Sequence, residues 1–152
     1  MQYSFVAPYI YNAHTRVIAK GIKYGSYDAI KEAAESMAEF VRFSDVLVPM
    51  PSHHGYATQT FKLCMAISQL TGAPVSNVLR GKARQPLYDA KKSGQSVNWT
   101  DLGLYIDGVL PEGKNIIVVD NVIDTGASAK AAIAAIGSCT VLAYAMTSKS
   151  FR

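Results

Sequence analysis

The pattern of hydrophobic and polar positions divides the chain into short apolar runs and longer segments of helical periodicity. Between Ser26 and Phe43 apolar residues recur at helical spacing, and Asp28 stands in the first turn, which predicts an amphipathic helix. A second helix is predicted from Thr58 to Leu70, with Thr71-Gly72 as its C-terminal end. An Ala-rich third helix is predicted from about Ala127 to Ile136.

Four short apolar runs predict buried strands between and after these helices. They extend from Asp45 to Met50, from Pro74 to Leu79, from Asn115 to Asp120 and from Thr140 to Met146. Because short apolar strands alternate with helices, we expect an α/β fold with a doubly wound, mainly parallel sheet and helices on both faces. The aromatic-rich N-terminus and the excursion after Leu79 predict a small hood beside this sheet.

Length and composition predict one domain over residues 1–152, because 152 residues with 49% apolar content suit one layered core and exclude a disordered chain. No apolar stretch approaches the roughly 20 residues that cross a bilayer, and no signal peptide is visible, so we expect no membrane partner and a cytoplasmic location. The two cysteines, Cys64 and Cys139, are interpreted as buried thiols rather than a disulfide or a zinc site.

The net charge of +4 is concentrated in one segment. Five cations lie between Arg80 and Lys92 with Asp89 as the one acid, so this segment holds the whole excess. A solvated loop and a site for a small polyanion both explain such a cluster, and the two interpretations stay open. A nucleic acid partner is not expected, because the sequence shows no second basic element with interleaved aromatic residues.

The stretch from Ile116 to Ser128 carries the most specific chemical pattern. An apolar strand brings Asp120 to its end, and a Thr-Gly-Ala-Ser turn then opens a helix. Such a turn presents backbone N–H groups and hydroxyls to a phosphate, while Asp120 and Asp124 can hold hydroxyls or a hydrated Mg²⁺. The pattern therefore predicts a site for a phosphorylated sugar. An ordinary capped turn would explain the Asp-Thr-Gly tripeptide alone.

This thirteen-residue pattern closely resembles the phosphoribosyl pyrophosphate (PRPP) motif of the type I phosphoribosyltransferases. The resemblance implies that Asp120 contacts the ribose hydroxyls and, weakly, the metal, and that Asp124 acts as general base. It also implies that the loop cradles the ribose 5-phosphate. Asn121 replaces the second acid of the family pattern, so it can hydrogen-bond a ribose hydroxyl without adding charge. The cradle residues are Asp124, Thr125, Gly126, Ala127 and Ser128.

The order of three further segments is similar to the ComF-like branch of this superfamily. These are Val17 to Tyr24, Asp45 to Pro51 and Arg80 to Pro86. The N-terminal Cys-x-x-Cys element that is frequent in that branch is absent from this sequence. The resemblance implies that the loop after the first strand binds pyrophosphate and that Lys82 and Arg84 neutralise it during catalysis. The pyrophosphate loop consists of Ser52, His53, His54 and Gly55, and solvated histidines are the alternative interpretation.

The resemblance implies an enzyme that binds PRPP with magnesium and transfers the phosphoribosyl group to or from a nitrogenous base, with release of pyrophosphate. The alternative is a non-catalytic protein of the ComF-like type that binds PRPP or a nucleotide in a regulatory or DNA-uptake role. The sequence leaves the acceptor base and the oligomeric state open, a homodimer included.

Overall fold

The computed structural model of the chain describes residues 3–84, 86, 94 and 99–147. Its strands are β1 (Tyr3–Val6), β2 (Tyr9–Ile10), β3 (Val46–Pro49), β4 (Leu79–Arg80), β5 (Tyr105–Ile106), β6 (Ile116–Ile123) and β7 (Cys139–Met146). Its helices are α1 (Ala13–Lys23), α2 (Tyr27–Met37), α3 (Gln59–Thr71) and α4 (Ala127–Ile136). Short 3₁₀ turns cover Ala38–Phe40 and Trp99–Leu102.

The main sheet has the strand order β1-β7-β6-β3, and its pairings are parallel. β2 continues the β1 edge and pairs with the last residues of β7. β6 lies in the interior of the sheet, where Val118 is opposite Val48 of β3 and Val141 of β7. The prediction of an α/β fold with a mainly parallel sheet is confirmed.

Both faces of this sheet are covered, which explains why its strands are continuous apolar runs. Leu47, Ile117 and Val119 point into a core formed with α1, α2 and α3. Their sequence neighbours Val48 and Val118 point to the opposite face, where they pack with α4 and the β4–β5 segment. The alternation follows from the two-residue period of side chains along a strand.

Helix α1, which the hydrophobic pattern did not predict, packs with α2 and α3 on one face of the sheet. It starts beside the end of β7, where the Tyr11 N–H donates to the Met146 carbonyl oxygen at 3.0 Å. Its other end lies beside α3, where the Gln59 side chain packs against Gly25. Residues 3–10 pair with β7 and so extend the sheet rather than form a hood.

The remaining differences from the predicted elements concern strand and helix ends. The helix expected from Ser26 to Phe43 is capped by Ser26 and ends at Met37. The strand expected from Pro74 to Leu79 is reduced to one bridge between Val75 and Leu47, and β4 pairs antiparallel with β5 in a separate sheet. β6 runs beyond Asp120 to Ile123.

The excursion after β4 packs on the α4 face of the main sheet, where Leu79 and Leu102 are buried. Its basic residues Lys91 and Lys92 lie outside the described residues. The two cysteines are buried and free, as predicted. No helix in the described part of the chain is both long and apolar enough to span a bilayer.

A glycine sets the distance between α1 and α2. A β-carbon at Gly21 would overlap the Ala29 Cβ. The two helices can therefore pack this closely only because Gly21 has no side chain. We expect Gly21→Ala to destabilise the protein by about 1–3 kcal/mol through overpacking, although alanine favours a helix by about 1 kcal/mol over glycine. Urea denaturation measures the effect. The exposed Lys20→Ala is the matched control, and a Gly21→Ala variant more stable than wild type would contradict this contact.

Candidate functional site

The crossover connections of the sheet diverge between β3 and β6. From β3 the chain passes through α3 to Val75 on the outer side of β3, and from β6 it passes through α4 to β7 on the other side. A ligand in a doubly wound sheet binds at such a switch point, outside the carboxyl ends of the strands. We refer to this space, between residues 50–58 and residues 124–126, as the crevice.

The turn from β6 into α4 directs a helix N-terminus at the crevice. Gly126, with a φ of 86°, is the N-cap residue of the ten-residue helix, and no side chain caps it. The Thr125 hydroxyl accepts the Ala127 N–H at 3.3 Å, and Ser128 lies half-buried in the first turn. Backbone donors and the helix dipole make this turn suitable for a phosphate.

Asp124 is held in place by the residue that follows β7. The Thr147 hydroxyl donates to the Asp124 carbonyl oxygen at 2.9 Å and lies 3.2 Å from its carboxylate Oδ1. The Thr147 N–H in turn donates to the Ile123 carbonyl oxygen at 2.9 Å. The carboxylate predicted to act as general base is therefore fixed between the ends of β6 and β7, and its catalytic role stays a prediction.

The charges of Asp120 and Arg84 interact in the crevice although the two residues lie on different elements. Burial raises the pKa of Asp120 from 3.8 to about 6, while the Asn121 N–H, which donates to its Oδ1 at 2.7 Å, and the Arg84 charge oppose this rise. Burial likewise lowers the pKa of Arg84, and Asp120 opposes that change. An acid and a cation held in a partly dry site suit a ligand that carries both hydroxyls and phosphates.

Residues 81–84 of the excursion run along the loop after β3. The Gly81 N–H donates to the Gly55 carbonyl oxygen at 2.9 Å, and the Arg84 N–H donates to the His53 carbonyl oxygen at 2.8 Å. Gly55 has a φ of 96°, and a β-carbon there would overlap the Gly81 carbonyl oxygen. This close approach requires glycine, and it positions Arg84 beside Asp120. Lys82 is exposed next to these residues.

The predicted pyrophosphate loop uses several of its own backbone donors. The N–H groups of Ser52 and Gly55 donate to the carbonyl oxygens of Tyr56 and Ser52, and the His54 N–H donates to the Ser52 hydroxyl at 3.2 Å. The His53 and His54 rings lie 4.0 Å apart between centroids. In this conformation an anion would meet the imidazole rings rather than these three amides, and binding of pyrophosphate here stays a prediction.

Asn121 faces α1 rather than Asp124 and the turn. Its side-chain Nδ2 donates to the Ala19 carbonyl oxygen at 2.9 Å, while its Oδ1 is buried and has no hydrogen-bond partner among the residues that the structure describes. The amide therefore ties α1 to β6. The contact of Asn121 with a ribose hydroxyl stays a prediction, and the structure gives a separate reason for an amide at the position where the family pattern has an acid.

Lys130 is a candidate residue that the sequence reasoning missed. It lies on α4 one turn after Gly126, and a β-carbon at Gly126 would be 3.9 Å from the Lys130 Cε and 3.7 Å from the Phe5 ring. The cation and the aromatic edge thus border the turn that we expect to hold a phosphate. The signal for Lys130 was its spacing of one helical turn from a glycine N-cap.

The donor set suits a magnesium ion that arrives with its ligand. Among the described residues no group of three or more His, Cys, Asp or Glu side chains is placed to hold a metal. Asp120 and Asp124 offer carboxylate oxygens, and Mg²⁺ commonly binds through one or two carboxylates together with substrate phosphates and water. Asp120 would hold such an ion mainly through the ligand.

No protein-family model matches the chain, and no curated protein matches it. The fold is similar to the crystal structure of purine phosphoribosyltransferase from Pyrococcus horikoshii Ot3, with a TM-score of 0.46 and 17% sequence identity. The alignment covers 99% of this chain and 82% of that chain. The residues of the crevice, rather than this similarity, support the proposals below.

The raised pKa of Asp120 predicts a pH-dependent cost in stability. A carboxyl whose pKa is higher in the folded state than in the unfolded state favours folding less as the pH rises from about 4 through 6. We expect Asp120→Asn to raise the free energy of unfolding by about 1–2 kcal/mol at pH 7.5 and to change it little near pH 4. Thermal and urea unfolding at both pH values measure this effect. The exposed Glu112→Gln is the control, and an equal effect of Asp120→Asn at both pH values would contradict the assignment.

Asn121 gives a second stability prediction. In Asn121→Asp a carboxylate oxygen would face the Ala19 carbonyl oxygen beside Asp120, so we expect a loss of about 1–3 kcal/mol at pH 7.5. The loss should shrink as the pH falls, because a protonated carboxyl can again donate to Ala19. Urea unfolding as a function of pH measures this dependence, with Lys114→Gln, which changes the net charge by the same amount at an exposed site, as the comparison. A pH-independent or absent loss would show that the amide does not tie α1 to β6.

Proposed function

We propose that the protein binds PRPP, with Mg²⁺ on its pyrophosphate, and transfers the phosphoribosyl group to or from a nitrogenous base. The observation that carries this proposal is the arrangement at the end of β6. Asp120 lies there beside Arg84, and a helix N-terminus with a glycine N-cap follows within the same loop. One ligand that joins ribose hydroxyls to a 5-phosphate and a pyrophosphate uses all three features.

The ribose and its 5-phosphate bind at the β6–α4 turn in this proposal. The Asp120 carboxylate accepts hydrogen bonds from the ribose hydroxyls, which favours its charged form and offsets the cost of its burial. The 5-phosphate binds the first-turn N–H groups and the Thr125 hydroxyl, and the Lys130 ammonium adds a positive charge next to Gly126. These contacts hold the sugar still while its anomeric carbon reacts.

The pyrophosphate binds to the cations on the other side of the crevice, Arg84 and Lys82. Arg84 and Lys82 neutralise the charge that develops on the leaving oxygen, and Mg²⁺, when bound, lowers that charge further. The bond between the anomeric carbon and the pyrophosphate oxygen breaks and its electron pair leaves with pyrophosphate. A base nitrogen forms the new bond to the same carbon and passes a proton to Asp124, which Thr147 holds in position.

A non-catalytic PRPP or nucleotide sensor is the second candidate, and one observation favours it. The Asn121 amide donates to Ala19 and brings no charge to the strand end, so positions 120 and 121 carry one acid, Asp120, where the family pattern has two. Such a site could bind the ligand with little turnover. The ComF-like alternative, a DNA-uptake accessory, would use the same binding site.

Pyrophosphate release separates the two candidates. Incubation of the protein with PRPP, Mg²⁺ and a panel of nucleobases should release pyrophosphate with at least one base if the protein is an enzyme. Asp124→Asn should lower kcat by about a hundredfold or more and leave PRPP affinity nearly unchanged, because general base catalysis contributes on that scale. The control is Asp107→Asn. PRPP binding without release would support the sensor, and a failure of PRPP to bind would refute both candidates.

The role of Arg84 predicts a difference between ligands. Arg84→Gln should weaken PRPP binding by about tenfold or more while it changes ribose 5-phosphate binding far less, because PRPP alone carries the pyrophosphate. Isothermal titration calorimetry measures both affinities. Arg42→Gln removes an exposed cation remote from the crevice and serves as the control. Equal losses for the two ligands would assign Arg84 to general electrostatic attraction.

A further inference from the structure

The outer surfaces of α1 and α2 carry charges of opposite sign. Each helix presents one like-charged residue about every turn, so the charges form a straight row along its exposed side. Lys31, the cation of α2, flanks this row on the side toward α3, where Lys31 and Glu35 both border a groove. The α1 stripe consists of Arg16, Lys20 and Lys23, and the α2 stripe consists of Asp28, Glu32 and Glu35.

These stripes do not neutralise each other within the chain. α1 and α2 are connected by a short turn and touch at Gly21 and Ala29. Even so, the described residues of the two helices form no ion pair within 4.0 Å. The positive field of one helix and the negative field of the other are therefore both directed at solvent.

Large side chains lie exposed along the same two helices. Val17 is 70% exposed, and Tyr24 and Tyr27, on either side of the turn, are 76% and 77% exposed. Tyrosine is enriched in protein–protein interfaces, since its ring supplies contact area at a small entropic cost. The surface thus combines exposed apolar side chains with the two charged stripes.

The two stripes match when their positions are measured from the connecting turn. Lys23 and Asp28 lie next to the turn, Lys20 and Glu32 lie about one helical turn further, and Arg16 and Glu35 lie about two turns away. A two-fold rotation about an axis along the helix pair places α1 of one copy over α2 of the other with this register retained.

We propose that two copies of this chain associate through the α1–α2 surface, with the α1 stripe of one copy against the α2 stripe of the other. This proposal goes beyond the proposed function and does not depend on it. In the pair each cation row meets one acid row, so the contact occurs twice, once on each side of the axis, and the tyrosines beside the turn are covered.

The pattern of charge selects a second copy over other partners. A nucleic acid or another polyanion would gain from the α1 stripe but would be repelled by the α2 stripe, and a basic partner would meet the opposite problem. A partner must carry both signs in the matching order, and an identical surface does so by symmetry. Because the attraction is electrostatic at an exposed rim, it should weaken with salt.

Analytical ultracentrifugation of the wild-type protein gives the first test. We expect a dimer in about 0.05 M NaCl and at least about tenfold weaker self-association in about 0.5 M NaCl, where the Debye length is shorter. A protein that sediments as a monomer at low salt and at the highest concentration reached would overturn the proposal. So would a monomer whose α1 cations instead bind single-stranded DNA in a fluorescence anisotropy titration.

A charge exchange gives the sharper test. An acidic copy carries Arg16→Glu, Lys20→Glu and Lys23→Glu, and a basic copy carries Asp28→Lys, Glu32→Lys and Glu35→Lys. Each variant alone should be monomeric, because like charges then face each other across the axis. An equimolar mixture of the two should form a heterodimer. Dimers of either variant alone, or a mixture that stays monomeric, would overturn the proposal.

Two controls separate association from folding. Circular dichroism and thermal unfolding establish that each variant is folded, and the smaller exchange of Lys20→Glu in one copy with Glu32→Lys in the other repeats the test if a triple variant is not. Glu112→Lys with Lys114→Glu exchanges exposed charges before β6 and should leave the dimer intact. A loss of the dimer in this control would assign the association to another surface and overturn the proposal.

Discussion

The crevice depends on the parallel pairing of β6 with β3 on one side and β7 on the other. Because its first residues are buried against both helical layers, β6 cannot shift along its neighbours without exposing apolar side chains. This pairing fixes where Asp120 and the turn at Gly126 lie relative to the loop after β3. The divergence of the crossovers at β3 and β6 then leaves that end of the sheet open to a ligand.

The charges in the crevice are stabilised by structure that reaches it from elsewhere in the chain. Burial raises the pKa of Asp120, so its charged form lowers the stability of the fold, which an apolar residue at this position would not do. Arg84 reaches it through the close approach of Gly55 and Gly81, and Asn121 anchors α1 on the other side of β6. An unfavourable charge maintained by several independent contacts is typical of a binding site rather than of a structural salt bridge.

The sequence predicted the parts of this fold that are decided locally. The runs at Val48 and Val118 read as strands because both of their faces are buried, and α4 follows from a turn and a helical pattern within one segment. α1 was missed, although the Asn12 and Thr15 capping box was readable. The strand expected from Pro74 to Leu79 is reduced to one bridge, because the neighbouring strands, and not the composition of the segment, decide its pairing. The electrostatic interaction of Arg84 with Asp120 joins distant segments, and no local pattern encodes it.

A pH titration of the Asp120 carboxyl by nuclear magnetic resonance tests the account most directly. The chain is labelled at the Asp side chains, and Asp120→Asn assigns the signal. The account predicts a pKa of about 6 in the free protein and a clear decrease when ribose 5-phosphate binds, since hydroxyl donors favour the charged carboxylate. A pKa near the ordinary value of 3.8 in the free protein, or one that saturating ribose 5-phosphate leaves unchanged, would contradict the assignment of Asp120 to the ligand site.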